Sequence, residues 1–246
     1  MNRLLIVTGG SRGIGAACAR RAAQDGWRVV VNYNASPTAA EAVVGEIRAA
    51  GGDALALPGD VAVEADVLAL FDAAEATFGP IGGLINNAGI LDTASPLAEI
   101  GLARWQRIFA VNTTGSFLVA REAVRRMLRV GQGGAIVNLS SMAALFGAPH
   151  EGIDYAASKG AVESMTIGLA REVAAQGIRV NAIRPGLIDT EMQLSTGVPD
   201  RVGRLMSTIP MGRVGTAAEV AEAAVWLLSD SASYITGAVL PVSGGR

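Results

Sequence analysis

Tyr155 and Lys159 stand four positions apart in a stretch with helical spacing, so both project from one face of a helix. A tyrosine hydroxyl titrates near 10, too high for a useful base at neutral pH. An ammonium group a few ångströms away favours the tyrosinate and lowers that value. Arginine would bring the charge, but it holds its proton too tightly to join a proton relay. The chain contains three tyrosines and a single lysine, Lys159, among many arginines. Chance would place a tyrosine and that lysine in this arrangement roughly once in 80 trials, so an acid–base pair is favoured over two residues that merely share a helix.

A second feature lies near the N-terminus. Thr8-Gly9-Gly10-Ser11-Arg12-Gly13-Ile14-Gly15 follows the apolar run Leu4–Val7 and opens an alanine-rich helical stretch. Gly9, Gly13 and Gly15 allow a tight turn and close backbone approach to a pyrophosphate, whose charge meets the free N–H groups of the helix. Glycine loops also serve as plain turns. The position between a strand and a helix points instead to a dinucleotide.

Both features need elements that hold them. Leu4–Val7, Arg28–Val31, Ala54–Leu57, Gly83–Ile85, Ala135–Leu139 and Ile178–Ile183 read as buried strands. Between them, 14 to about 26, 37–50, 64–78, 103–130 and 155–176 show helical spacing, and a helix near 217–228 and a strand near 238–242 follow. Near-continuous apolar strands alternating with helices predict an α/β doubly wound parallel sheet, here as one domain over 1–246. Ligands of such sheets sit beyond the carboxyl ends of the strands.

Composition narrows the class further. Half the residues are hydrophobic, 17% are charged and the net charge is −2, with acids and bases mixed. No basic block suggests nucleic acid, and no polybasic amphipathic helix suggests a membrane surface. No run approaches the roughly 18 to 20 apolar residues of a membrane span. Met1–Val7 is too short an apolar run for a signal peptide, so a cytoplasmic location is expected. Cys18 reads as a packing residue in an apolar helix, and Trp27, Trp105 and Trp226 as packing or interface residues. His150 reads as a surface loop residue, and no His, Cys or acidic cluster has metal-ligand spacing.

The joint pattern Gly9-x3-Gly13-x-Gly15, Asn86-Asn87-Ala88-Gly89, Asn112, Ser140-Ser141, Tyr155-x3-Lys159 and Pro185-Gly186 resembles the short-chain dehydrogenase/reductase (SDR) family over essentially the whole chain. The resemblance implies a Rossmann fold with strand order 3-2-1-4-5-6-7, a homotetramer, and hydride transfer between NAD(P)(H) and a carbonyl or secondary alcohol. It makes Ser141 the hydroxyl that binds the substrate oxygen, with Ser140 the near alternative, and Asn112 a helix-bending residue that binds a relay water. Lys159 would hold the nicotinamide ribose and tune Tyr155. Asp60 and Val61 would hold adenine, Asn87, Ala88 and Gly89 the ribose, and Pro185, Gly186, Ile188 and Thr190 the nicotinamide end, beside the loop residues Gly9, Ser11, Arg12, Gly13, Ile14 and Gly15. Asp60 also reads as a solvated turn residue.

After the second strand come Asn32, Tyr33 and Asn34, where an NAD-preferring site usually has an acid for the ribose 2′-hydroxyl. Arg12 offers a charge-assisted bond to a 2′-phosphate, so NADP(H) is expected, with NAD(H) possible. The segment 187–213 is expected to act as a mobile, fairly apolar lid. The substrate stays open between 3-oxoacyl thioesters, for which Arg125, Arg126 and Arg129 offer a carrier patch, and sugars or polyols. A nucleotide-binding regulator without turnover would need only the glycine loop.

Overall fold

The computed structural model describes residues 3–246; Met1 and Asn2, the start of the run weighed as a signal peptide, lie outside them. Seven short apolar segments form one parallel sheet: β1 (Leu4–Val7), β2 (Arg28–Tyr33), β3 (Ala54–Pro58), β4 (Ile81–Asn86), β5 (Gly134–Leu139), β6 (Ile178–Pro185) and β7 (Val239–Val242). Their order is β3-β2-β1-β4-β5-β6-β7. Strands such as Leu4-Leu5-Ile6-Val7 are buried throughout, as required when helices cover both faces of a sheet.

One face packs α1 (Gly13–Gln24), α2 (Pro37–Ala49) and α9 (Ala217–Leu228), through residues including Ala16, Val43 and Val225. The other packs α3 (Glu64–Phe78), α5 (Ser116–Val130) and α7 (Ile153–Val173), through residues including Leu70, Val119 and Ala170. Shorter helices α4 (Leu102–Phe109), α6 (Ala143–Phe146) and α8 (Arg201–Met206) lie at the carboxyl end of the sheet or lead to it. Strand order reverses between β1 and β4, which opens a crevice beyond their carboxyl ends.

The expected helix over 103–130 is not continuous. α4 ends at Phe109, a π-helical turn spans Ala110–Gly115, and α5 begins at Ser116. Asn112 causes part of this break, because its side chain bonds a neighbouring backbone rather than facing solvent. Gly115 causes another part: a Cβ there would lie 2.7 Å from Val61 Cγ2, so the helix approaches the β3 exit closely. Such π turns concentrate at functional sites. Elsewhere the differences are at element ends. β4 starts at Ile81, β6 runs through Pro185, and α7 starts at Ile153 and ends in a 3-10 turn over Ala174–Gln176.

The lid segment is more structured than its composition suggests, with a 3-10 turn over Glu191–Thr196 followed by α8. Its base is tied down, since Gly215 N donates to Leu187 O and Asp189 N to Gly215 O, both within 3.0 Å. Leu194 and Met211 point out to solvent, while Ile209 is buried. No helix among the described residues is long and apolar enough to cross a membrane.

Candidate active site

The glycine loop lies against the exit of β4. Asn87 Nδ2 donates to Thr8 O at 2.9 Å and Gly9 O at 3.0 Å, while Thr8 Oγ1 accepts from the amides of Asn87 and Ala88. Gly9 and Gly13 have φ of +60° and +53°, which disfavour any side chain. Gly15 is required by contact: a Cβ there would lie 2.3 Å from Gly9 O and 2.5 Å from Asn87 Nδ2. No side chain caps the N-terminus of α1 and no acid lies in its first turn. Its free amides and positive dipole end therefore face a groove lined by Ser11, Arg12, Ile14, Tyr33, Asn34 and Asp60, among others. A cradle of missing Cβ atoms under an uncapped helix fits a dinucleotide pyrophosphate.

Several residues expected to touch the nucleotide also make contacts within the protein. Asn32 is buried, accepting from Gly9 N at 3.4 Å and donating to Gly59 O at 3.1 Å. Its side chain braces the β1 and β3 exits against each other, and it lines the groove beside Tyr33 and Asn34. Asp60 Oδ1 caps the amide of Ala62 at 2.9 Å, and Val61 is buried, though both line the groove. Arg12 reaches across to the lid and bonds Glu191 Oε2 at 3.1 Å, with both side chains about two-thirds exposed.

At the other end of the crevice, Ser141, Tyr155 and Lys159 line a cleft of about 310 Å³, at the small end for ligand sites of roughly 300–1,000 Å³. α7 presents Tyr155 and Lys159 one turn apart, with Nζ 5.8 Å from the centre of the tyrosine ring. Lys159 Nζ donates to Leu139 O at 2.7 Å, at the end of β5. Burial pulls the lysine down to about 8, so it can give up a proton near neutrality. Burial holds the Tyr155 hydroxyl above its ordinary value, opposed by a hydrogen bond with Ser141 and the charge of Arg201.

Ser141 and Ser140 are now distinct. Ser140 is buried, and its Oγ donates to Glu163 Oε1 at 2.6 Å, which also binds Arg184. Ser141 Oγ accepts from Ala143 N at 3.1 Å and faces the cleft beside Tyr155. Asn112, in the π turn, accepts from Ile90 N at 2.8 Å and donates to Ile90 O and to Ser158 Oγ. Gly89 sits between it and the lysine, since a Cβ there would lie 3.3 Å from both Asn112 Oδ1 and Lys159 Nζ. Gly186, Ile188 and Thr190 line the cleft beyond β6, and a Cβ at Gly186 would lie 2.7 Å from Ser243 Cα. Pro185 lines it too, but as the last residue of β6 rather than after it.

Some contributors were not visible in the sequence. Asp154 is fully buried, forms a two-bond pair with Arg104 at 2.7 and 3.2 Å, and accepts from Tyr155 N at 2.9 Å. It fixes the first turn of α7 and hence Tyr155. Arg201, Glu151 and Arg246 also line the cleft. An acid directly before the tyrosine was the only available signal for Asp154; nothing local marks Arg246.

The arginine patch on α5 is largely committed. Arg126 is buried and binds Asp72, Glu75 and Glu122, and Arg129 binds Glu75. Cys18 is buried, its thiol pushed up to about 12 by burial, as a packing residue should be. His150 is exposed at φ +60°. Trp27 packs against the core, Trp105 stacks on Phe109 at 4.7 Å, and Trp226 is 43% exposed.

A parallel sheet of this order, a glycine cradle at its switch point and a Tyr-x3-Lys helix at the carboxyl end define a nicotinamide-dependent oxidoreductase. A family profile described as enoyl-(acyl carrier protein) reductase matches residues 9–246. An uncharacterised oxidoreductase of Escherichia coli strain K12 is 51% identical over 245 residues, covering 99% of each chain. The 3beta-hydroxysteroid dehydrogenase 1 of Eggerthella lenta is 44% identical over 99% of this chain and 93% of its own. The crystal structure of a 3-ketoacyl-(acyl-carrier-protein) reductase from Brucella melitensis, complexed with NADH, superposes with a TM-score of 0.92 at 36% identity, covering 99% and 98% of the two chains. The chain belongs to the short-chain dehydrogenase/reductase family, whose members act on CH–OH groups with a nicotinamide cofactor.

Proposed function

We propose that the chain interconverts a ketone and a secondary alcohol with NADP(H) in preference to NAD(H), in one domain over 1–246 whose lid spans 187–213. The observation that carries this reading is the meeting of Ser141, Tyr155 and Lys159 in one cleft, with the Asn112 turn behind them and the glycine cradle at its far end. A bound nicotinamide supplies the hydride in reduction and accepts it in oxidation. Gly9, Ser11, Gly13, Ile14 and Gly15 would hold the pyrophosphate, Asp60 and Val61 the adenine side, and Asn87, Ala88, Gly89 and Lys159 the ribose near the reacting end. Pro185, Gly186, Ile188 and Thr190 would border the nicotinamide.

In the direction of reduction, Ser141 Oγ and Tyr155 Oη donate hydrogen bonds to the carbonyl oxygen. Tyr155 gives that oxygen its proton as the carbon takes the hydride, and C=O becomes CH–OH. The resulting tyrosinate is stabilised by the Ser141 bond and the Arg201 charge. Lys159, lowered to about 8, returns a proton, and a water held at Asn112, as the family resemblance implies, would replenish it. Two of the relatives, a hydroxysteroid dehydrogenase and a 3-ketoacyl reductase, are named for this same pair of functional groups.

NADP(H) preference rests on Arg12 and on the absence of any acid at the β2 end, Asn32, Tyr33 and Asn34. NAD(H) remains the second reading because Glu191 already binds Arg12 and the Brucella melitensis relative was solved with NADH. The test is oxidation of NADPH and NADH against a panel of ketones. Turnover with NADPH at lower Michaelis constant supports both parts; cofactor binding without turnover of any ketone would favour a regulator.

A further inference from the structure

Two guanidinium groups enter the substrate cleft from distant parts of the chain. Arg201 opens α8, and only 15% of its side chain is exposed. It bonds Glu151 Oε2 at 2.5 Å and the side-chain carbonyl of Gln193, yet its Nε is buried with no hydrogen-bond partner.

Arg246 follows two glycines with φ of +65° and +90° beyond β7. That turn is fixed in place. Met211 N donates to Gly244 O at 3.0 Å, Ser243 Oγ donates to Arg246 O at 2.9 Å, and Gly245 lies against Pro210 so closely that a Cβ would stand 3.1 Å from Pro210 Cγ. The Arg246 guanidinium lies over the Phe146 ring, 5.6 Å from its centre. Among the described residues it has no carboxylate at ion-pair distance.

Arg201 is thus the partner of Glu151, and the Arg246 guanidinium stands in the same cleft with no ion pair among the described residues. Burial and the charge of Arg201 both hold Arg246 below its ordinary value, and Glu151 only partly opposes them. The Arg201 charge also reaches Tyr155, so this guanidinium stands near the reacting oxygen. Like charges in a partly dry cleft are costly until an anion enters between them. A planar fork over an aromatic ring is suited to a carboxylate, which it binds through two parallel bonds.

We propose that Arg201 and Arg246 form an anion subsite, and that the substrate is an oxo acid reduced to its hydroxy acid, the carboxylate held by the guanidinium groups while the ketone meets Ser141 and Tyr155. This rests on the reductase reading for the ketone end only. A carrier-bound thioester has no free carboxylate, and the carrier patch is committed through Arg126.

The test pairs each oxo acid (pyruvate, acetoacetate, levulinate) with its methyl ester, in turnover with NADPH and in calorimetric binding. At least one acid should exceed its ester by about tenfold or more in kcat/KM and in affinity. Arg246→Gln and Arg201→Gln should each collapse that ratio, mainly through KM. Arg201→Gln should also move the pH profile of alcohol oxidation to higher pH, a change that loss of packing alone would not produce. Equal use and equal binding of acid and ester, or variants that weaken both alike, would overturn the subsite. Selective binding of an acid with no turnover of any ketone would leave the subsite standing and defeat the reductase reading instead.

Discussion

Lys159 shows how a single residue carries more than charge. Burial lowers it from 10.5 to about 8, so the unfolded chain holds this proton more tightly than the folded one. The resulting contribution to stability is fullest above about 10.5 and is lost as pH falls through about 8. Urea midpoints of the wild type should therefore rise between about pH 7.5 and 9.5, and Lys159→Met should remove that rise while abolishing turnover. A Lys159→Met profile parallel to wild type would contradict the buried, depressed amine. Arg12 is the second case. An exposed pair such as Arg12–Glu191 contributes about 0–1 kcal/mol, which a phosphate dianion can displace. Arg12→Ala should raise the Michaelis constant for NADPH by about tenfold and that for NADH little; equal effects would remove the 2′-phosphate from Arg12.

At the scale of elements, the glycine loop and α1 behave as one part. Gly15→Ala would drive a methyl group into Gly9 O and Asn87 Nδ2, breaking the brace that ties the loop to β4. Cofactor affinity should fall by about tenfold or more while far-ultraviolet circular dichroism stays near that of wild type, as read by fluorescence titration with NADPH. An unchanged affinity would mean that the loop does not cradle the cofactor. Elements of this kind were legible because their signals are local. The strand-loop-helix at Leu4–Gly15 and the four-residue spacing of Tyr155 and Lys159 need no knowledge of distant residues. The break at Ala110–Gly115 was not legible in the periodicity, where an asparagine inside an amphipathic run reads as helix until its partner, the Ile90 backbone, is in place; only the family resemblance implied a bend at Asn112. The internal bonds of Asn32 were equally hidden: its position suits a ribose and it lines the groove, but its links to Gly9 and Gly59 depend on strands distant in sequence.

For the whole molecule, strand order followed from the resemblance and is the observed one. The substrate cleft depends on closure of remote segments. Arg201 and Arg246 meet only because the lid base is bonded to Gly215 and the Gly244-Gly245 turn to Met211 and Pro210. No spacing rule in the sequence encodes that meeting. Assembly belongs at this scale too. Phe117 and Leu128 on α5 and Ile167 on α7 are apolar and more than one-third exposed, which suits burial between copies in the homotetramer implied by the family resemblance. Light scattering should give the mass of four chains, and Phe117→Glu should shift it downward; a monomer at micromolar concentration would contradict this proposal.

In the proposed mechanism Tyr155 transfers the proton while the glycine cradle only binds the cofactor. Tyr155→Phe removes one hydroxyl and keeps the ring that packs beside Lys159. The decisive measurement is kcat for ketone reduction by this variant beside its affinity for NADPH. A loss of about a hundredfold or more in kcat, with affinity within about twofold of wild type, is the predicted result. Near-wild-type kcat would contradict it.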